Sequence, residues 1–125
     1  ALILLHKSGL ITLKDPTNIA TTARDVVGNP KQLVFRELES PTLPRVLDQV
    51  DLALINTNYA LDAGLDPNKD ALVKEGKDSP YTNYLVARAD NQNDPRLQTL
   101  ARIMTTPEVA KFINDTYHGA VLPAF

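Results

Sequence analysis

Leu43, Val46, Leu47 and Val50 fall at i, i+3, i+4 and i+7, which places all four on one helical face. Ser40 or Thr42 is positioned to cap that helix, with proline tolerated in its first turn. Leu52-Ala53-Leu54-Ile55 has no such period. A short continuous apolar run of this kind predicts a strand buried on both faces. Leu10-Ile11-Thr12-Leu13, Leu33 to Leu38 and Tyr84-Leu85-Val86-Ala87 predict further strands, the last of them buried.

Helical signals lie between these runs. Ala1 to Leu5 followed by His6-Lys7-Ser8-Gly9 reads as a helix ending with glycine just past it. The chain is therefore expected to begin inside an element and to be a fragment of a longer protein. Thr22 to Val27 predicts a short helix closed by Gly28-Asn29-Pro30, and Thr57 to Ala63 another ended by Gly64. Lys14 to Asn18 and Asp66-Pro67 carry turn residues. The last third changes character. Asp94-Pro95 and Thr106-Pro107-Glu108 are two helix-start signals. Each precedes an apolar stripe: Leu97, Leu100, Ala101 and Met104, then Val109, Phe112, Ile113 and Tyr117. Alternating strands and helices with short connections predict an α/β fold with a mostly parallel sheet and flanking helices.

Composition narrows the class. The 125 residues are 43% apolar and 22% charged, enough for one ordinary domain with a core. A net charge of −2 gives no electrostatic reason to expect nucleic acid or an anionic membrane surface as partner. No apolar run approaches the roughly 20 residues that cross a bilayer, and no signal-peptide pattern is present. With no cysteine, disulfides and thiolate metal sites are excluded.

Catalytic and metal motifs are sparse. His6 and His118 lie near opposite ends without HExxH spacing, and read as surface or end-of-helix residues, so no metal site is expected. Neither GxGxxG nor GxxxxGK[ST] occurs, and no cofactor is expected. Ser79 lacks a GxSxG setting and reads as a turn former. Glu37 and Glu39 would share a strand face but look exposed. Arg24, Arg36 and Arg45 could grip a carboxylate, yet each also reads as a solvated surface residue. No nucleophile–base pair emerges, so the chain is read as a non-enzyme.

Asn56 and Asn83 carry the remaining chemistry. An amide both donates and accepts, so two of them at strand ends suit a small polar ligand. Asn56 ends the best strand and opens a helix, and in parallel sheets ligands bind beyond the carboxyl ends of strands. The unpaired N–H groups of a helix start suit a carboxylate as well. A simple N-cap role for Asn56 is the alternative. Tyr59 and Tyr81 read either as ligand covers or as packing residues between helix and sheet.

Several segments together resemble a known family. They are Ala23-Arg24-Asp25-Val26-Val27-Gly28-Asn29-Pro30-Lys31, Glu37-Leu38-Glu39 with Leu43-Pro44-Arg45, and Ile55-Asn56 with Asn58-Tyr59-Ala60. Pro67 with Lys69-Asp70-Ala71, Lys77-Asp78-Ser79-Pro80-Tyr81 with Asn83, and the ending Gly119 to Phe125 complete the set. The chain resembles the NlpA-type methionine-binding lipoproteins of ABC importers over nearly its whole length. The resemblance implies a type II periplasmic-binding-protein fold, two lobes around a ligand cleft that closes by a hinge. Residues 1–82 would be the second lobe, and 83–125 the hinge crossing plus C-terminal helices that return to the first lobe.

It further implies binding of methionine, or a related amino acid or short peptide, outside the cytoplasmic membrane. Delivery would be to the permease subunits of an ABC importer, with the full-length protein lipid-anchored in the periplasm or on the outer face of the cytoplasmic membrane. Asn56 and Asn83 match the family's cleft asparagines, and Tyr81 its neighbouring motif. The family's carboxylate-binding arginine and aromatic wall would precede Ala1, and Asp15-Pro16-Thr17-Asn18 with Arg24 only echoes that upstream segment. The alternative is a ligand-sensing effector domain of a regulator with the same two-lobed fold.

Overall fold

A computed structural model describes all residues, 1–125. The chain divides into two units, Ala1–Glu75 and Gly76–Phe125. The division falls before the sequence-based boundary at 82/83.

In the first unit, helix α1 spans Leu2–Lys7 and strand β1 spans Thr12–Leu13. A 3-10 turn at Ala23–Asp25 leads into strand β2, Val26–Gly28. β1 and β2 pair antiparallel, with Thr12 opposite Gly28 and Leu13 opposite Val26. A long 3-10 segment, Ser40–Gln49, precedes helix α2 at Thr57–Asp62. In the second unit, helices α3 and α4 span Pro95–Met104 and Pro107–Tyr117.

Glycines end α1 and α2 by one device. The Leu10 N–H donates to the Leu5 carbonyl at 3.0 Å and the Gly9 N–H to His6 at 3.0 Å. The Leu65 N–H likewise reaches Ala60 at 2.9 Å and the Gly64 N–H reaches Leu61 at 3.0 Å. Both are Schellman endings, which need a left-handed residue just past the helix. Gly9 and Gly64 supply it, at φ 72° and 77°.

The core belongs to the first unit. Ile3, Leu5, Ile11 and Leu13 are buried together, with Leu2, Leu10, Val26, Leu33, Phe35 and Leu54 packed around them. Each such aliphatic side chain contributes roughly 1.5–3 kcal/mol when fully buried. Ala60 is the buried residue of α2, which packs on the Ser40–Gln49 segment.

The expected elements depart from this picture in three places. Thr22–Val27 is not a helix. Asp25 accepts from the Thr22 N–H at 2.8 Å and closes one 3-10 turn, after which Val26 and Val27 enter β2. Their branched β-carbons favour the extended backbone. The helix at 43–50 winds as 3-10, with Pro44 inside it and no side-chain cap; the Thr42 hydroxyl donates to the Glu39 carbonyl at 2.7 Å instead. Pro44 lacks the N–H that an α-helical ladder would use.

The mostly parallel sheet is not formed by hydrogen-bonded strands: the sheet present is the antiparallel β1–β2 pair. Residues 33–38, 52–55 and 84–87 are irregular and unpaired. The first of them still alternates as a strand does. Leu33 and Phe35 pack on the core while Val34 is 87% exposed. An apolar run sets the side-chain alternation, but a ladder also needs a neighbour about 4.8 Å away. The segment at 84–87 is not buried, with Tyr84 77% and Val86 84% exposed.

Candidate functional site

Asn56 occupies the N-cap position of α2, at φ −66° and ψ 140°. Its carbonyl accepts from the Ala60 N–H at 3.1 Å, which starts the helix. Its side chain makes no capping bond and is exposed. The residue thus caps α2 through its backbone, and its side chain takes no part in the cap. α2 is six residues long, so its dipole adds little to anion binding. Tyr59, one turn along, is half-buried.

Tyr81 and Asn83 lie in the second unit, after a turn built on Ser79. The Ser79 N–H donates to the Gly76 carbonyl at 3.1 Å, and the Tyr81 N–H donates to Ser79 Oγ at 3.2 Å. The Thr82 hydroxyl adds a bond to the Ser79 carbonyl at 3.0 Å. Ser79 is thus a turn former, as its sequence setting suggests. The turn presents Tyr81, 42% exposed, and the exposed Asn83, whose amide makes no hydrogen bond within the chain. The candidate residues are accordingly divided, Asn56 in the first unit and Tyr81 and Asn83 in the second.

Other polar residues hold loops together. Asp66 accepts from the Asn68 N–H at 2.9 Å and pairs with Lys69 at 3.1 Å. The Asn68 amide bond, followed by Lys69, holds the Asp66 carboxyl below its usual range. Arg24, Arg36, Arg45, Glu37 and Glu39 are all exposed. His118 caps the C-terminus of α4 at φ 48°. His6 lies in the last turn of α1, where its Nδ1 accepts from the Leu13 N–H at 3.3 Å and ties helix to strand. That bond spans seven residues, and no local sequence pattern signals it. No helix is long and apolar enough to cross a membrane.

Comparison with known proteins gives this arrangement its context. The family model described as NlpA lipoprotein matches residues 1–125. Outer membrane lipoprotein 2 of Mannheimia haemolytica is 45% identical over 122 residues, 98% of this chain and 44% of that protein. The D-methionine-binding lipoprotein MetQ of Salmonella typhimurium is 44% identical over 124 residues, 98% of this chain and 46% of its own. Among solved structures, a nutrient-binding protein from Burkholderia cenocepacia, bound to methionine, superposes with a TM-score of 0.87 at 41% identity. That match covers 99% of this chain and 53% of the neighbour, so the two share a fold over that span. The chain thus spans about half the length of the curated relatives it matches. A regulator reading finds no support among these relatives. With the family model matched from the first residue to the last and such identities along the same span, the chain belongs to the NlpA lipoprotein family.

Proposed function

We propose that this chain is part of a solute-binding protein that captures methionine, or a close relative of it, for uptake by an ABC transporter. The observation that carries this reading is the match to the methionine-bound Burkholderia cenocepacia protein, at 41% identity over 99% of the chain. The protein acts by binding and not by catalysis. It works in the periplasm or on the outer face of the cytoplasmic membrane, lipid-anchored at full length, and hands its ligand to the permease subunits.

Residues 1–82 act as the second lobe, and 83–125 as the hinge crossing with its C-terminal helices. Asn56, Asn83 and Tyr81 contribute the polar contacts to the ligand. A side-chain amide accepts from the ligand's ammonium through Oδ1 and donates to its carboxylate through Nδ2, so one residue type serves both ends of an amino acid. Bonds to charged groups of this kind are the stronger ones. The free amides of Asn56 and Asn83 support this assignment.

The test is a chimera in which residues 1–125 replace the matched span of the Salmonella typhimurium relative. Methionine is expected to raise its thermal midpoint in a concentration-dependent way, since a ligand that binds only the folded state stabilises it. Alanine, aspartate and lysine are expected to leave the midpoint unmoved. A chimera that folds and responds to none of them sinks the reading.

A further inference from the structure

One backbone group at the edge of the first unit's core is satisfied by a side chain that can titrate. The register between β1 and β2 shifts between Thr12 and Leu13. Irregularities of this kind take a backbone group out of the ladder. Leu13 is 3% exposed and shares the core with Ile3, Leu5 and Ile11. A buried backbone N–H needs an acceptor. The Leu13 N–H finds its acceptor on α1, in Nδ1 of the His6 ring at 3.3 Å. That contact is the ring's one hydrogen bond within the chain.

An imidazole nitrogen accepts a hydrogen bond only when it carries no proton. The contact therefore selects the neutral ring with its proton on Nε2. In the imidazolium both nitrogens donate, so a flipped ring offers no acceptor either. Nδ1–H and the Leu13 N–H would then be two donors facing each other. The ring is half-buried, with solvent beside it to turn into. Nor do the surrounding charges anchor an imidazolium in place. Lys7 follows His6 on α1 and Lys14 follows Leu13 after β1, both exposed cations. In the turn before β2, Arg24 is exposed, and Asp25 accepts from the Thr22 N–H and hydroxyl at 2.8 and 2.9 Å. Arg36 and Glu37 beside Phe35, and Asp51 ahead of Leu54, are exposed as well.

We infer that the contact between His6 and Leu13 is a pH-sensitive latch, which holds α1 on β1 while the ring is neutral and opens when the ring takes up a proton. The latched form binds one proton fewer than the opened form. It is therefore favoured as pH rises, and is lost as pH falls through the range in which histidines charge, from about 8 to about 5. Opening leaves the Leu13 N–H without its acceptor at the edge of the core. Leu54, two residues before Asn56, rests on that same core. The latch thus lies in the layer that carries this candidate residue, and it does not depend on what the chain binds.

The test is amide exchange in the chimera with the Salmonella typhimurium relative, at about pH 7.5 and about pH 5, with each rate expressed as protection against the free-peptide rate at that pH. Protection of the Leu13 amide is expected to fall at least about tenfold between the two. His6→Asn keeps an acceptor, Oδ1, as many bonds from the backbone as Nδ1, and has no proton to gain in this range. Its Leu13 amide is expected to stay protected at both pH values. His6→Ala is expected to leave that amide poorly protected at both. His118 stays in every variant, so whatever it adds is common to all. Nitrogen-15 spectra of the unsubstituted chimera give a second readout, in which Nδ1 of His6 is expected to be the unprotonated ring nitrogen at about pH 7.5. The inference is overturned if Nδ1 carries the proton there, if Leu13 protection is equal at the two pH values, or if His6→Asn loses it to the same extent. Neither readout involves methionine, so failure of the ligand reading leaves this inference standing.

Discussion

The side chain of Asn29 grips Leu33 from both sides: Nδ2 donates to the Leu33 carbonyl at 2.9 Å, and Oδ1 accepts from the Leu33 N–H at 2.8 Å. The pair closes the turn after β2 and holds Leu33 against the core. This amide is spent on structure, whereas those of Asn56 and Asn83 bond to nothing in the chain. The contrast is between an asparagine side chain that the fold uses and two that it does not. Asn29→Ala is expected to lower the urea midpoint, with a loss of about 1–3 kcal/mol for the half-buried groups left unpaired, and to spare ligand affinity in the chimera. An unchanged midpoint would show that the pair of hydrogen bonds is dispensable.

Asn83→Ala in the same chimera should behave in the opposite way. Methionine affinity is expected to weaken by about 1–3 kcal/mol, roughly 5- to 150-fold, with the urea midpoint unmoved. Asn56→Ala should weaken binding similarly, since its cap role runs through the backbone carbonyl, which alanine retains. Unchanged affinity in either variant removes that residue from the site.

Gly64 ends α2 at φ 77°, and no atom lies within 4 Å of where a β-carbon would be. Replacement by alanine therefore meets backbone strain and no clash. Gly64→Ala is expected to cost about 1–2 kcal/mol and to fray the last turn of α2, seen as faster exchange of the Gly64 and Leu65 amides. Exchange at wild-type rates would contradict the Schellman account of this terminus.

Acid should loosen α3 at its start. The Arg96 guanidinium, and then the Arg96 N–H, hold the Asp94 carboxyl below the usual 3.8. For a carboxyl lowered by folding, the stabilisation is complete above the unfolded value and is lost as pH falls through the folded one. Helicity at α3 is thus expected to be flat down to about pH 4 and to decline below it. Asp94→Asn keeps a capping oxygen but cannot titrate, and should flatten that decline. A decline of equal size in the variant would assign it to other groups.

The legible parts of the fold were those written in neighbouring residues. Asp94-Pro95, Thr106-Pro107, Gly9 and Gly64 mark helix ends through contacts a few residues away, and each end lies where they put it. Strand pairing depends on distant partners, and there the pattern misled. Leu33, Phe35 and Leu54 do reach the core, but without a ladder, and 84–87 lies exposed. Thr22–Val27 read as a helix because its pattern is local, whereas the pairing of Val26 with Leu13 that draws its end into a strand is not. The position of Asn56 between an apolar run and a helix could be read directly. The turn that presents Tyr81 and Asn83 depends on the Ser79 hydroxyl, and the tie from His6 to Leu13 has no local signature.

The central claim is that these residues supply part of a methionine site that is completed by the rest of an NlpA-type chain. Calorimetric titration of methionine into the 125-residue chain alone, and into the chimera with the Salmonella typhimurium relative, tests it most directly. Saturable one-to-one binding is expected for the chimera, with weak or undetectable heat for the chain alone. Micromolar or tighter binding by the chain alone, or no binding by a well-folded chimera, would contradict it.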